Sequence, residues 1–493
     1  MKKHFPAAAV AVFCAVALAV ASTNLPFLDE GTFGGSALNI LHTGYSGNPS
    51  TPPWGLGLPL EQSTRYNYWV MPLYLYLLAA WYRLTPETLL SARVLSVIFG
   101  MVALALFYRL LRRLSATPLV AGLAVLLAAV DFNLIIDASQ ARMDSLSLAL
   151  NLGAWVAYLE LRDRSTDAAF FWPAMLAGLS FITHPNGIIA FAGIAMLAIA
   201  LDRGRRTRGW MLFAAGAAIP MIAAASTIVR APAVWYQQLR AHSQHRFDGF
   251  LRPFDSIYWE FMSRYYLPFG GRRLHGSQFA IAHWALLGVL FLYLVATAIV
   301  LARFRGRLAK FAGAFFLITV IYFTFFESGK LAFYNIHVIP WLCLFVAIIA
   351  VRWRTAGIAM VAAIVIVNLV WSAYYVRANQ YGTSYQRVAA MLRENMGPHD
   401  LVLTHAFFGY ELGFDRATED YTLVDIVRRK PLFVVMDHWI TVPAENKAYK
   451  YGADPIEAGM ITEDEKVQSA ALLLTRYKVV FRTPDFTVCR RNF

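Results

Sequence analysis

The chain has 493 residues, of which 58% are hydrophobic and only 15% charged, against about 25% charged in ordinary soluble domains. So few charges cannot cover a water-facing surface of this size, which excludes a soluble globular protein and requires lipid to solvate part of the chain. The formal charge is +14, yet Arg377–Phe493 holds 15 basic and 15 acidic residues, so the excess lies in the earlier part, in clusters between apolar runs, a membrane-topology pattern rather than a nucleic-acid footprint.

A membrane helix needs about 20 mostly apolar residues. The first such run, 5–23, follows Lys2-Lys3-His4. A cleaved signal peptide is the alternative, but the many later runs favour an uncleaved first span. Further spans are expected near 91–108, 118–136, 145–160, 168–183, 187–201, 210–228, 279–301, 309–326, 333–350 and 356–374, about eleven in all, with 168–183 notably short. The basic clusters Lys2-Lys3, Arg109–Arg113, Arg162–Arg164, Arg203–Arg208, Arg303–Lys310 and Arg352–Arg354 fall at every second connection. All six therefore face the cytoplasm together. The stretch 68–84 is apolar enough to span, but a span there would send every later cluster to the other side. Its Tyr and Trp content suits a helix lying in or dipping into the outer interface.

The outer side then holds a long first loop, 24–90, a short one at Asp137–Asp144, a turn at His184, a loop at 230–278 and the segment 327–335. A tail follows. Strand-like runs (401–403, 432–436, 479–481) alternate there with polar helical ones (385–395, 463–475). The expected fold is a polytopic α-helical membrane protein: a membrane domain over 1–376 and a small C-terminal α/β soluble domain over 377–493. Cys14 and Cys343 lie in apolar runs and Cys489 near the end, and no spacing among them suggests a disulfide or a zinc site.

Several charged groups sit at the outer ends of spans. Asp29-Glu30 follows the first span directly; adjacent carboxylates at a membrane boundary are costly unless solvated, paired or used, and Asp29 can equally cap the next helix. Arg142 and Asp144 open another span, with Asp131 and Asp137 nearby, and Asp144 can equally cap the helix that follows. His184 occupies a Pro-Asn-Gly turn. In Glu327–His337, the residues Lys330, Tyr334 and His337 are spaced i, i+4, i+7, one face if that segment is an α-helix. A cation, a phenol and an imidazole there suit either a phosphate or snorkelling into an aromatic belt. The loop 230–278 carries Arg240, His242, His245, Arg246, Arg272 and Arg273, a set better suited to an anionic lipid or sugar phosphate than to a metal.

The Asp29-Glu30 pair with the following GTF and ALNILHTGY resembles the opening of the membrane glycosyltransferases with the GT-C fold. The branch is that of the protein O-mannosyltransferases and aminoarabinose (lipid A) transferases. The run YWVMPLYLYLLAAWYRLTPETLLSARVLSVIFG, the motif RMDSL and the motif SGKLAFYNIHVIP are similar to that family too. The likeness covers roughly 20–200 and 325–340. There are two departures. Relatives place Lys-Pro just before the aromatic interface helix where this chain has Arg65-Tyr66-Asn67-Tyr68, which makes Arg65 the candidate in place of that lysine. His184 stands at a turn where some relatives carry lysine.

The resemblance implies an inverting glycosyltransferase that moves a sugar from a polyprenyl-phosphate donor to a lipid, glycan or protein acceptor. It would work on the outer face of a bacterial inner membrane. Lipid phosphate is a good leaving group, so such a site needs cations for the phosphate and a base for a hydroxyl acceptor. On this reading Asp29 is the base, and Glu30 or Asp144 orients it or the sugar. Arg65, Arg142, His184, Lys330, Tyr334 and His337 are candidates for holding substrate. A phosphate acceptor would need no base, and Asp29 would then act electrostatically. No cofactor is required, although the clustered carboxylates leave room for a divalent metal. Two other readings share the membrane architecture. A flippase of lipid-linked sugar would carry paired broken helices and mid-membrane ionisable residues, of which few are evident. An envelope scaffold would not need Asp29 and Asp144.

Overall fold

The computed structural model describes residues 5–202, 206–243, 251–269, 280–327, 329–437 and 459–492. The helices follow in chain order: α1 Phe5–Thr23, α2 Leu28–Thr43, α3 Pro72–Tyr82, α4 Leu89–Arg113, α5 Pro118–Val130, α6 Phe132–Ala138, α7 Asp144–Leu161, α8 Thr166–Phe181, α9 Ile188–Leu201, α10 Arg206–Ile228 and α11 Pro232–Ser243. Beyond them run the long helices Ala280–Arg303, Arg307–Ile321 and Ile339–Ala378. Their starts are chemically marked. Thr88, Thr117 and Ser165 each accept a backbone N–H at the head of α4, α5 and α8, the N-cap bond of a first turn.

Among the described residues six helices are long and apolar enough to cross a membrane, or seven if the bent pair α5–α6 counts as one span. This is fewer than the eleven spans expected, although each expected run is largely helical. The difference has two sources. α8 and α9 have only 16 and 14 residues, and the 18-residue α7 carries Asp144, Asn151 and Glu160, so none qualifies alone. The last two runs form one 40-residue helix, interrupted at Arg354, whose φ of 35° and ψ of −92° are not helical. The short helices are covered by neighbours: α7 packs on α4 and α8, and α8 on α10.

The aromatic stretch before α4 yields an 11-residue helix, α3, about 16 Å long, half of what a span needs. It packs on α2.

The tail builds a five-stranded sheet of order β2-β1-β3-β5-β4, with β1 Val402–Leu403, β2 Ala417–Thr418, β3 Phe433–Met436, β4 Tyr477–Arg482 and β5 Thr487–Arg491. β1 runs parallel to both β2 and β3, and β5 is antiparallel to β3 and β4. The helices Gln386–Asn395 and Glu463–Arg476 match the polar helical runs. β2 and β5 are additional strands: two residues of β2 carry too short a pattern to show in sequence.

Candidate active site

Asp29 and Glu30 both lie in the first turn of α2, where negative charge is favoured by the helix dipole. Neighbouring helical residues point about 100° apart, so the two carboxylates separate. Glu30 turns inward and is fully buried. Arg93 of α4 grips both its oxygens, Nε to Oε1 at 2.8 Å and Nη2 to Oε2 at 2.7 Å. The backbone N–H groups of Ala141 and Phe27 donate to the same carboxylate, each at 2.7 Å. Arg93 spends its remaining hydrogens on the carbonyls of Ala21 at 2.6 Å and Asn24 at 3.0 Å, at the end of α1. Glu30, expected beside Asp29 as a reacting or orienting acid, is instead saturated by protein partners. The pair ties α1, α2, α4 and the turn before α7 together.

Asp29 turns outward, its side chain 32% exposed, and pairs with Nη1 of Arg142. Arg142 is buried and donates from Nε to Asp144 Oδ2 at 2.9 Å. Its guanidinium lies 3.6 Å from the centre of the Phe333 ring. Arg142 thus stands between two carboxylates on an aromatic floor. Asp144 is buried, and its Oδ1 has no hydrogen-bond partner among the described residues. Of Asp29, Glu30 and Asp144, Asp29 is the one that reaches the surface.

A second charged cluster lies against Tyr334, the residue after Phe333, with the Arg264 guanidinium 5.4 Å from its ring centre. Two π-helical turns, Glu260–Tyr266 and Tyr322–Phe326, face it; such turns leave carbonyls off the regular ladder. Lys330 Nζ donates to two of these, Phe323 and Thr324, both at 2.6 Å, and lies 3.3 Å from Glu260. Burial pulls its ammonium down to about 8 even though Glu260 works the other way. Arg264 is fully buried with its Nε 2.9 Å from Glu260. Its guanidinium lies over Phe323 at 4.3 Å, yet none of its nitrogens makes an aligned hydrogen bond among the described residues. Unspent buried donors cost free energy, and Glu260 is the anion that stands beside this cation.

The segment between the clusters is not the α-helix that the i, i+4, i+7 spacing suggests. Lys330 precedes a 3-10 turn, Ala332–His337, whose three-residue period stacks Tyr334 and His337. Phe333 and Tyr334 pack edge to face at 4.9 Å. Phe333 lies under Arg142, while Tyr334 stacks on Phe323 at 5.8 Å. His184 packs its ring 5.0 Å from Tyr334 and accepts the Asn186 N–H through Nδ1 at 3.0 Å. The site is therefore continuous: Asp29, Arg142 and Asp144, then two rings, then Arg264, Lys330 and Glu260, with His184 and His337 at its wall. His337 Nε2 has no hydrogen-bond partner among the described residues.

Arg65 lies elsewhere. It donates to the Tyr45 hydroxyl at 2.5 Å and covers that ring at 4.3 Å. It stands near a shallow groove lined by Tyr45, Tyr66, Tyr68, Tyr76 and Arg230. His245, Arg246, Arg272 and Arg273, and the side chain of His242, lie outside the described residues. Among the described residues no three of His, Cys, Asp and Glu converge as metal ligands.

Sequence reasoning passed over Arg93, Glu260 and Arg264. A lone arginine inside an apolar helix demands a buried partner, and Glu260 and Arg264 stand at the i, i+4 spacing of a helical ion pair. These signals were present, but not the partners' identities.

The fold is the GT-C fold of membrane glycosyltransferases. Solved structures that share it include ArnT from Cupriavidus metallidurans in the apo state, at 14% identity and a TM-score of 0.59, covering 98% of this chain and 96% of that one. The same protein bound to undecaprenyl phosphate aligns at 13% identity and a TM-score of 0.56, covering 98% and 97%. The apo oligosaccharyltransferase of Archaeoglobus fulgidus aligns at 11% identity and a TM-score of 0.54, covering 88% of this chain and 70% of that one. No protein-family model matches the chain, and no curated protein matches it by sequence.

Proposed function

We propose that this protein is an inverting glycosyltransferase that moves a sugar from a polyprenyl phosphate to an acceptor on the outer face of a bacterial inner membrane. The observation that carries the reading is the pairing of one accessible carboxylate, Asp29 on Arg142, with a nearby buried cation, Arg264, that holds donors in reserve. The fold shared with an ArnT structure bound to undecaprenyl phosphate supports a lipid-phosphate donor.

In this mechanism Asp29 accepts the proton of an acceptor hydroxyl as that oxygen attacks the anomeric carbon. The bond from that carbon to the phosphate oxygen breaks, and configuration inverts. The lipid phosphate leaves with its charge held by Arg264 and, after it lets go of its carbonyls, by Lys330. Preorganised cations of this kind stabilise charge developing on a leaving group. Arg142 fixes the direction of Asp29, and Phe333 fixes Arg142. Its guanidinium also supplies between Asp29 and Asp144 the positive charge that a divalent ion would otherwise bring. A hydroxyl on a lipid, glycan or protein suits this step, whereas a phosphate acceptor would leave Asp29 an electrostatic role.

Broken helices are a feature of transporters, and α5 and α6 are bent by 64°. Asp131 at that break is committed, however: it caps α6 at the Leu134 N–H and accepts from Tyr293 at 2.8 Å.

The test is transfer of label from a panel of polyprenyl-phosphate sugars to a cell-envelope extract, with purified protein in liposomes. Wild type and Asp29→Asn are compared. Transfer by wild type that collapses in the variant is expected. Equal transfer in both would remove Asp29 from the chemistry, and label that crosses the bilayer still attached to its lipid would favour a flippase.

A further inference from the structure

The first turn of α2, which holds Asp29, is gripped from two sides. One grip is the Glu30–Arg93 pair. The other comes from the soluble tail, more than 370 residues away in sequence. α2 presents Gly31, Gly34 and Gly35 toward the tail, and each lacks a side chain for a visible reason. A Cβ on Gly31 would overlap the backbone of Ala406 and Phe407, one on Gly34 the Tyr410 phenol, and one on Gly35 the Phe414 ring and Asn48. Tyr410 donates toward the carbonyl of Glu30 at 3.3 Å and shares a hydrogen bond with Tyr82 of α3 at 2.9 Å.

The tail segment that makes these contacts is itself anchored. It leaves β1 through His405, a buried residue. At the ends of the three parallel strands, His405, Glu419 and Asp437 come together. His405 Nε2 lies 2.9 Å from Asp437, and its Nδ1 is 3.1 Å from the Tyr421 hydroxyl. That hydroxyl donates to Glu419 at 2.9 Å. Glu419 also accepts from Thr32 of α2 and Thr51 of the first loop, both at 3.5 Å. The backbone N–H groups of Glu419 and Tyr421 donate to Ser50 and Gly55 of that loop, both at 2.7 Å. Burial alone would pull the imidazole down, but Asp437 and Glu419 outweigh it and hold His405 at about 9. It is therefore a cation at neutral pH, balanced by two carboxylates.

We infer that the tail is a positioning part of the catalytic site: the His405–Glu419–Asp437 knot fixes residues 405–414, and these set the orientation of α2 and so of Asp29. The inference rests on Asp29 being the base of the transfer. It assigns His405, Tyr410 and the glycine face of α2 to positioning, since none of them touches Asp29. Misplacement of a reacting group by about 1 Å costs around a hundredfold in rate, so modest loosening of this grip is felt at the chemical step.

The experiment compares His405→Gln, Tyr410→Phe and Gly34→Ala with wild type and Asp29→Asn, as full-length protein in liposomes. Turnover per folded molecule and KM for the lipid donor are measured at pH 6–10. The expected result is a fall in kcat of roughly tenfold to a hundredfold in His405→Gln and Gly34→Ala, a smaller fall in Tyr410→Phe, and little change in donor KM. Wild-type kcat should fall further as pH rises through about 9, above the fall set by Lys330 near 8, and the limb near 9 should vanish in His405→Gln while that of Lys330 stays. Tyr410→Phe removes a single hydroxyl and keeps a readable folded variant if the others fail to fold. Asp29→Asn inactive, with the tail variants at wild-type kcat and an unaltered alkaline limb, would overturn the inference alone. Full transfer by Asp29→Asn would overturn the catalytic reading beneath it.

Discussion

Replacing Glu30 by glutamine should damage stability far more than replacing its neighbour Asp29 by asparagine, and should spare the chemistry of each folded molecule. Glu30 and Arg93 are both fully buried. Glutamine leaves one oxygen for the Phe27 and Ala141 N–H groups and turns an NH2 toward a guanidinium that still carries its charge. Breaking a buried ion pair by removing one partner costs about 3–5 kcal/mol, since the other charge stays buried and uncompensated. Asp29 is one-third exposed, and the buried Arg142 keeps Asp144 as a counter-charge when Asp29 is neutralised, so Asp29→Asn should cost clearly less than Glu30→Gln. Thermal unfolding in detergent, followed by intrinsic fluorescence and by binding of a thiol dye to the buried Cys343, measures both. The pair variant Glu30→Gln/Arg93→Met should recover part of the loss, because no lone charge then remains. A Glu30→Gln protein as stable as wild type but unable to transfer sugar would refute this reasoning and return Glu30 to the catalytic acids.

Arg264→Gln should raise donor KM and lower kcat together, by about tenfold or more, because it removes the donors reserved for phosphate; unchanged kinetics would place the phosphate elsewhere. The charge on Lys330 is lost as pH rises through about 8, so donor KM should rise above that pH in wild type, and Lys330→Met should abolish the dependence. Transfer should persist after exhaustive chelation of divalent ions, since Arg142 already balances Asp29 and Asp144; loss with chelator and recovery with a single metal would contradict this. His405 has a folded value of about 9, above its unfolded value of about 6.5, so its contribution to stability is complete below about pH 6.5 and is lost as pH rises through 9. The melting temperature of wild type should fall across that window, and that of His405→Gln should fall less.

Much of the architecture was written in composition and spacing. The low charge content demanded lipid, and the apolar runs coincide with helices. Asp29, Arg142 and Asp144 were legible as one constellation because each stands at the end of an apolar run, where a charge must be solvated, paired or used, and the structure brings the three together. Three tail strands and both of its longer helices also follow their patterns. The span count did not follow, because a run's hydropathy is a property of that run, whereas shelter for the short, polar-dotted α7, α8 and α9 comes from neighbours. Nor did the fate of Glu30, since adjacent helical residues diverge by about 100° and only the arrival of Arg93, 63 positions on, decides which carboxylate is buried. The same holds for Arg264, whose neighbours Lys330 and Tyr334 belong to another segment, and for the glycines of α2, which are ordinary small residues until the tail packs against them. Local sequence set which groups were charged, apolar or small, because those are properties of single residues and short periods. Tertiary structure alone decided which charges met, because pairing depends on contacts between residues remote along the chain.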